Sequence, residues 1–280
     1  MTAILLALAS AAAYGVSDFF GGVLSKRHSA WTIAFWGQVG ALVAAGLLAL
    51  WIGGRPAPVD LLWAAVAGVG SALGTAFLYR GLASGRMSVV APISAVVSAS
   101  VPIVVGVATG ERPAPLTWVG IAVGLAAIWL VARAPDPSGA RAAGTAASVR
   151  DGALAGAGFG AYFAAIGQVR DEAGLWPNAA SMAVAVVVLL AIVLAVRAPL
   201  GLPPRSAGLA LIPGVLGALA LTLFLLATQQ GLLTVVAVIA SLYPAATVIL
   251  AALVLHERIH RSQAIGLAAC AAAVALVAVA

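Results

Sequence analysis

Residues 85–120 read GRMSVVAPISAVVSASVPIVVGVATGERPAPLTWVG, and residues 231–266 read GLLTVVAVIASLYPAATVILAALVLHERIHRSQAIG. Laid over one another at a constant offset of 146, the two stretches align without a gap. Gly85 falls on Gly231, Glu111 on Glu257, Arg112 on Arg258 and Gly120 on Gly266, with Val89/Val235, Val90/Val236, Ala91/Ala237, Ile93/Ile239, Ala99/Ala245 and Ile103/Ile249 between them. The apolar identities carry little weight in a chain this rich in Ala and Val. The glycines and the Glu-Arg pairs at fixed spacing carry more. Near the start of each half, Tyr14-Gly15 falls on Phe159-Gly160 at an offset of 145. Self-similarity at a fixed period signals duplication.

The unit that is duplicated is apolar. Of the 280 residues, 64% are hydrophobic and 8% charged, against about 25% charged in soluble domains. Such a chain has too little polar surface to cover itself in water, and a bilayer removes that requirement. The net charge is +6 and the pI about 10.4. The basic residues are few and scattered over short loops, so they read as topology signals rather than as a nucleic-acid surface. The single cysteine, Cys270, excludes an intramolecular disulfide framework and a thiolate metal cluster. The stretch 1–15 lacks the positive n-region of a signal peptide and reads as a retained first span.

A spanning helix needs about 20 mostly apolar residues. Ten candidates fit, at roughly 2–24, 31–52, 61–83, 88–109, 115–132, 151–169, 175–196, 206–229, 232–255 and 262–280. Residues 133–150 carry charges among Pro, Gly, Ser and Ala, a linker composition. The expected organisation is therefore a first repeat over 1–132, a linker over 133–150 and a second repeat over 151–280. Five spans per repeat is an odd number, so the second repeat enters the membrane from the opposite side. The fold class expected is all-α and polytopic, with two inverted five-helix repeats around a central cavity. Secondary transporters are commonly built this way, with the substrate site near the midplane.

These same residues resemble a known family. The paired copies of helix, Glu-Arg turn and Gly-bearing helix are similar to paired EamA domains of the drug/metabolite transporter superfamily. AYGVSDFFGG (13–22), TGER (109–112) and LHER (255–258) carry the resemblance most specifically. It implies ten helices in a 5+5 inverted arrangement, no enzymatic activity, and export of an amino acid, metabolite or drug-like compound. The implied location is the bacterial cytoplasmic (inner) membrane. The departure is His256, where the first copy has Gly110.

HERIH (256–260) fits the H-E-x-x-H zinc template, with His256 and His260 one turn apart. Its repeat partner, Gly110-Glu111-Arg112-Pro113-Ala114, has no histidine, and the only other histidine is His28. The repeat thus explains Glu-Arg as a turn pair, the Glu capping the following helix or pairing with Arg, without zinc. A gate is the alternative role. The one lysine, Lys26, follows no Walker glycine pattern, so transport would be secondary or facilitated. No cofactor is implied. Gly70/Gly74, Gly120/Gly124 and Gly152/Gly156/Gly160 have the spacing of close helix packing.

Polar groups in hydrocarbon are costly and face a bundle interior or a cavity. Asp18 is the acidic residue most clearly inside a span. Tyr14 lies one turn earlier on its face. With Ser17, Trp36, Gln38, Tyr162, Gln168, Gln229 and Tyr243 they form the candidate cavity lining. The carboxyl of Asp18 must face the interior, be paired, or be protonated. The plainer alternative is that the first helix ends early and Asp18 pairs with Lys26 or Arg27. Pro213 and Pro244 are candidate hinges, or tolerated kinks. The expected partners are a small-molecule substrate, protons and membrane lipid, with no nucleic acid. A flippase for a lipid-linked substrate, an intramembrane zinc enzyme and a non-transporting scaffold are the alternatives.

Overall fold

Why these residues form helices follows from the solvent. In hydrocarbon every backbone N–H and C=O must be satisfied within the segment, which a helix does. The computed structural model describes residues 1–25, 27–84, 87–132, 145–254 and 259–279. Within them lie eleven α-helices and no strand. They are α1 (Thr2–Ser25), α2 (Ala30–Ile52), α3 (Pro58–Ser84), α4 (Met87–Ala108), α5 (Pro115–Ala132), α6 (Thr145–Ile166), α7 (Trp176–Ala195), α8 (Pro204–Thr228), α9 (Leu233–Ala240), α10 (Tyr243–Val254) and α11 (Arg261–Ala278). Six spans among the described residues are long and apolar enough to cross a membrane, one of them formed by α9 and α10 together, and shorter apolar helices accompany them. The chain is an integral membrane protein.

The ninth apolar stretch is not one helix. It breaks at Ser241-Leu242, and Pro244 lies in the first turn of α10. Proline has no N–H to donate, so it is tolerated where a first turn leaves donors unpaired anyway. Its counterpart in the first copy, Ser98, sits inside an unbroken α4. A second difference from the sequence reading is at α6, which begins at Thr145 rather than near 151. Asp151 can sit in that early turn because Arg80 of α3 pairs with it, Nε to Oδ2 at 3.0 Å.

Large and small side chains are distributed inside out relative to a soluble protein. Leu47, Leu50, Leu62, Val104, Val187 and Leu253 are exposed, as is Trp51, while Ala7, Ala45, Ala49, Ala67, Ala72 and Ala218 are buried. Lipid solvates large apolar groups as well as a core does, so helices gain by bringing backbones close on small residues. On α3 a Cβ at Gly70 would meet the carbonyl of Gly158 on α6, and one at Gly158 would lie 2.5 Å from the nitrogen of Gly74. Gly152, Gly156 and Gly160 seat α6 on Val90, Ser94 and Ser98 of α4 in turn.

Most of the packing is between the halves. In the first half α3 and α4 pack on α6; in the second, α8 and α9–α10 pack on α1. Likewise α3 packs on α7 and α8 on α2. Exchanging α1 with α6, α2 with α7, α3 with α8, α4 with α9–α10 and α5 with α11 maps these pairings onto themselves. The α5–α11 contact is reciprocal to the residue. Gly120 abuts Val277, and Gly266 abuts Val131; Gly120 and Gly266 lie 146 positions apart, as do Val131 and Val277. Gly15 seats α1 on Tyr243 and Ala246, as its counterpart Gly160 seats α6 on Ser98 and Val101.

Candidate functional site

Between the halves lies a cavity of about 100 Å³. Helices α1, α2, α3 and α4 line it from one half, and α6, α7, α8 and α10 from the other. On α1, Tyr14, Ser17 and Asp18 face it because spacings of three and four share one helical face. Ser17 is held by donating its hydroxyl to the carbonyl of Pro213 at 2.7 Å. Two turns earlier Ser10 donates to Ala220 at 2.7 Å, so α1 and α8 run antiparallel. Gln38 on α2 donates its amide to Ser71 Oγ at 2.9 Å and to Thr75 Oγ1 at 3.4 Å on α3. Tyr79 continues that α3 face and sets its hydroxyl over Gly21 of α1.

The second half contributes rings. Phe159, Tyr162 and Phe163 come from α6 and Tyr243 from the start of α10. Tyr14 meets Phe163 edge-on with centroids 5.7 Å apart, and Tyr243 at 6.4 Å. Phe163 stacks onward to Phe224 at 4.8 Å, joining a buried cluster that includes Ile166, Leu221, Leu225 and Val236. That cluster lies on the termini side of the cavity: it takes in Ala7 near the start of α1, Ala49 near the end of α2 and Val277 near the end of α11.

Asp18 stands apart among the lining residues. Among the described residues it is the only carboxylate on the cavity, and no Lys, Arg or His lines it. Among the described residues no basic side chain forms an ion pair with it. It is half-buried within a helix that runs on to Ser25, so the reading in which the helix ends early is corrected. Lys26 lies outside the described residues.

Of the nine sequence candidates, Asp18, Tyr14, Ser17, Gln38, Tyr162 and Tyr243 come together on this cavity, and Trp36, Gln168 and Gln229 do not. Trp36 turns to donate its indole N–H to the carbonyl of Leu200 at 2.9 Å. Gln168 sits in the turn after α6, and Gln229 caps the C-terminus of α8, exposed. Ser71, Thr75, Tyr79 and Ser98 were missed. A spacing of four and eight residues from Ser71 to Thr75 and Tyr79 was the available signal.

The termini end is fastened across the halves. Asp60 at the start of α3 is fully buried and accepts from Arg170 Nη2 at 2.8 Å and from the backbone of Ala57 at 2.7 Å. Asp60 in turn holds the Arg170 guanidinium above its ordinary range, so the pair stays charged. Glu111 accepts from the backbone N–H groups of Leu233 at 2.6 Å and Thr234 at 3.0 Å, and from the Thr234 hydroxyl. It therefore caps α9 of the other half rather than its own following helix, which corrects the turn-pair reading. Arg112 donates to the carbonyl of Glu111 at 2.9 Å. At the opposite end Arg80 pairs with Asp151, and Thr32 donates to the carbonyl of Pro199. Of the HERIH stretch, 256–258 lie outside the described residues. His260 precedes α11, its backbone N–H donating to Gln263 Oε1 at 3.0 Å. No group of three or more His, Cys, Asp or Glu able to hold a metal is found among the described residues.

The EamA-like transporter family model matches residues 1–133 and again 152–279. A protein of known crystal structure is similar over 98% of this chain and 95% of its own, with a TM-score of 0.77 and 15% sequence identity. That likeness concerns the fold. No curated protein matches the sequence.

Proposed function

The chain belongs to the EamA-like transporter family, and from that premise we propose that it is a secondary transporter whose solute binds in the cavity between the two repeats. The observation that carries the reading is the cavity's construction. Both halves line it, most of its polar groups sit on α1, α2 and α3, and a buried apolar cluster packs on its termini side. A site built at the seam of a duplicated bundle is what alternating access requires. The exchange-symmetric helix pairings support a 5+5 inverted arrangement with α9 and α10 as two parts of one span. In this reading the halves rock about the cavity. The Asp60–Arg170 and Glu111–α9 contacts part as the termini end opens. Family resemblance favours export from a bacterial cytoplasm, and the place of Asp18 within a span and on the cavity makes it the charged group of the transport cycle in this reading.

The test is transport by purified protein. Proteoliposomes loaded with a defined mixture of amino acids, organic cations, organic anions and nucleosides are incubated without nucleotide, and retained solutes are measured by mass spectrometry. Protein-dependent loss of one class without ATP is expected. Retention of every class under both proton-gradient polarities would overturn the reading.

A further inference from the structure

The cavity's chemistry narrows the solute, an inference that rests on the transport reading above. We propose that the site takes a small monovalent organic cation, its ammonium head against Asp18 and its apolar or aromatic body against the rings of the second half.

Charge is the first support. Among the described residues the lining holds one carboxylate and no basic side chain; its other polar groups are hydroxyls and one amide. The buried acids Asp60 and Asp151 each have an arginine partner, whereas Asp18 has no basic partner among the described residues. A carboxylate within a span needs a counter-charge, either a proton or a cation. An anionic solute would add a second uncompensated charge, and a neutral one would require Asp18 to hold a proton, whereas a cation supplies the counter-charge itself.

The duplication supplies the second support. At the 145-residue offset that aligns the two α1-type helices, Tyr14 corresponds to Phe159, Ser17 to Tyr162 and Asp18 to Phe163. All six of these residues line the same cavity. One copy thus brings the carboxylate to the cavity and the other brings aromatic rings to it. A cation between a carboxylate and aromatic rings gains from both, the more so where water is excluded. The third support is the spare acceptors. Gln38 and Ser98 line the cavity, and Gln38 Oε1 and Ser98 Oγ are buried with no hydrogen-bond partner among the described residues. Both can accept from the N–H groups of a protonated amine.

Benzylammonium, neutral benzyl alcohol and anionic phenylacetate, titrated calorimetrically into full-length protein in lipid nanodiscs, test this directly. Saturable binding of the cation alone is expected. Asp18→Asn weakens it about tenfold or more, and Asp18→Glu retains a measurable part. Cation affinity also falls as pH is lowered and Asp18 takes up a proton. The other titratable groups facing it are the phenols of Tyr14 on α1, Tyr79 on α3, Tyr162 on α6 and Tyr243 on α10; α2, α4, α7 and α8 present none to the cavity. Equal binding of benzyl alcohol or phenylacetate by the wild-type protein would overturn the proposal, whether or not the variants fold. So would unchanged cation affinity in a folded Asp18→Asn. If a neutral solute crosses proteoliposomes while the cation fails to bind, transport stands and the cation class falls. If the cation binds as described but no solute crosses, the class stands and transport falls.

Discussion

Glu111 and Asp60 are carboxylates that the sequence places near helix ends, and each fastens one half to the other. Glu111 neutralises two backbone donors that the first turn of α9 leaves unpaired. Removing such a cap costs about 0.5–2 kcal/mol. Glu111→Ala is therefore expected to speed hydrogen exchange at the amides of Leu233 and Thr234 while leaving α5 amides unchanged; faster exchange confined to α5 would contradict the cross-half cap. Arg170→Gln leaves Asp60 buried without its charged partner, a defect of about 1–3 kcal/mol, read as a lower thermal midpoint that Asp60→Asn in the same chain partly restores. The sequence identified Glu111 as a helix-capping acid because Glu beside a turn has that local chemistry. Its partner lies 122 residues away, which no local pattern encodes. Tyr14, Ser17 and Asp18 were legible for the opposite reason, since their spacing alone puts them on one face. Trp36 and Gln229 were not separable from them by residue type. Which way a polar side chain turns depends on the neighbouring carbonyl, and that of Leu200 comes from a distant loop.

Among the elements, the glycine-bearing faces were readable as close-packing surfaces, and the structure puts backbone against each of the stripes on α3 and α6. The break between α9 and α10 was not, because Pro92, Pro102 and Pro213 lie inside helices that continue past them. A proline ends a helix only where tertiary partners take up the freed backbone groups. The glycines give a paired prediction. Gly158→Ala drives a Cβ into the α3 backbone and should cost about 1–3 kcal/mol, whereas Gly22→Ala meets nothing within 4 Å and should be neutral or slightly stabilising. Thermal unfolding in one detergent compares them, and equal midpoints would contradict the packing. Gly217 lines the cavity, and the nearest atom to an added Cβ is Ser17 Oγ at 3.9 Å. Gly217→Phe should fold normally and abolish transport of whichever solute the wild type carries; full activity would place the path elsewhere.

At the scale of the molecule, duplication was visible in sequence through the Gly and Glu-Arg anchors, and the residue-level reciprocity of Gly120/Val277 with Gly266/Val131 shows what the glycine anchors do. Orientation is a separate question. The loops after α1, α3, α5, α7 and α10 together with the helix ends beside them carry eleven of the basic residues and the opposite side carries three, which by the positive-inside rule puts both termini outside, whereas the family resemblance puts them inside. A reporter fused after Ala280 that is active only in the cytoplasm decides for the family orientation. The central claim is that the cavity is reached in turn from the two faces. Gly217→Cys in a Cys270→Ser background, exposed to a membrane-impermeant maleimide in right-side-out and in inside-out vesicles, tests it. The account predicts labelling from both faces, slower from the termini face, where the Asp60–Arg170 and Glu111–α9 contacts must part first. Labelling from one face only, at every pH and gradient polarity tried, would contradict it.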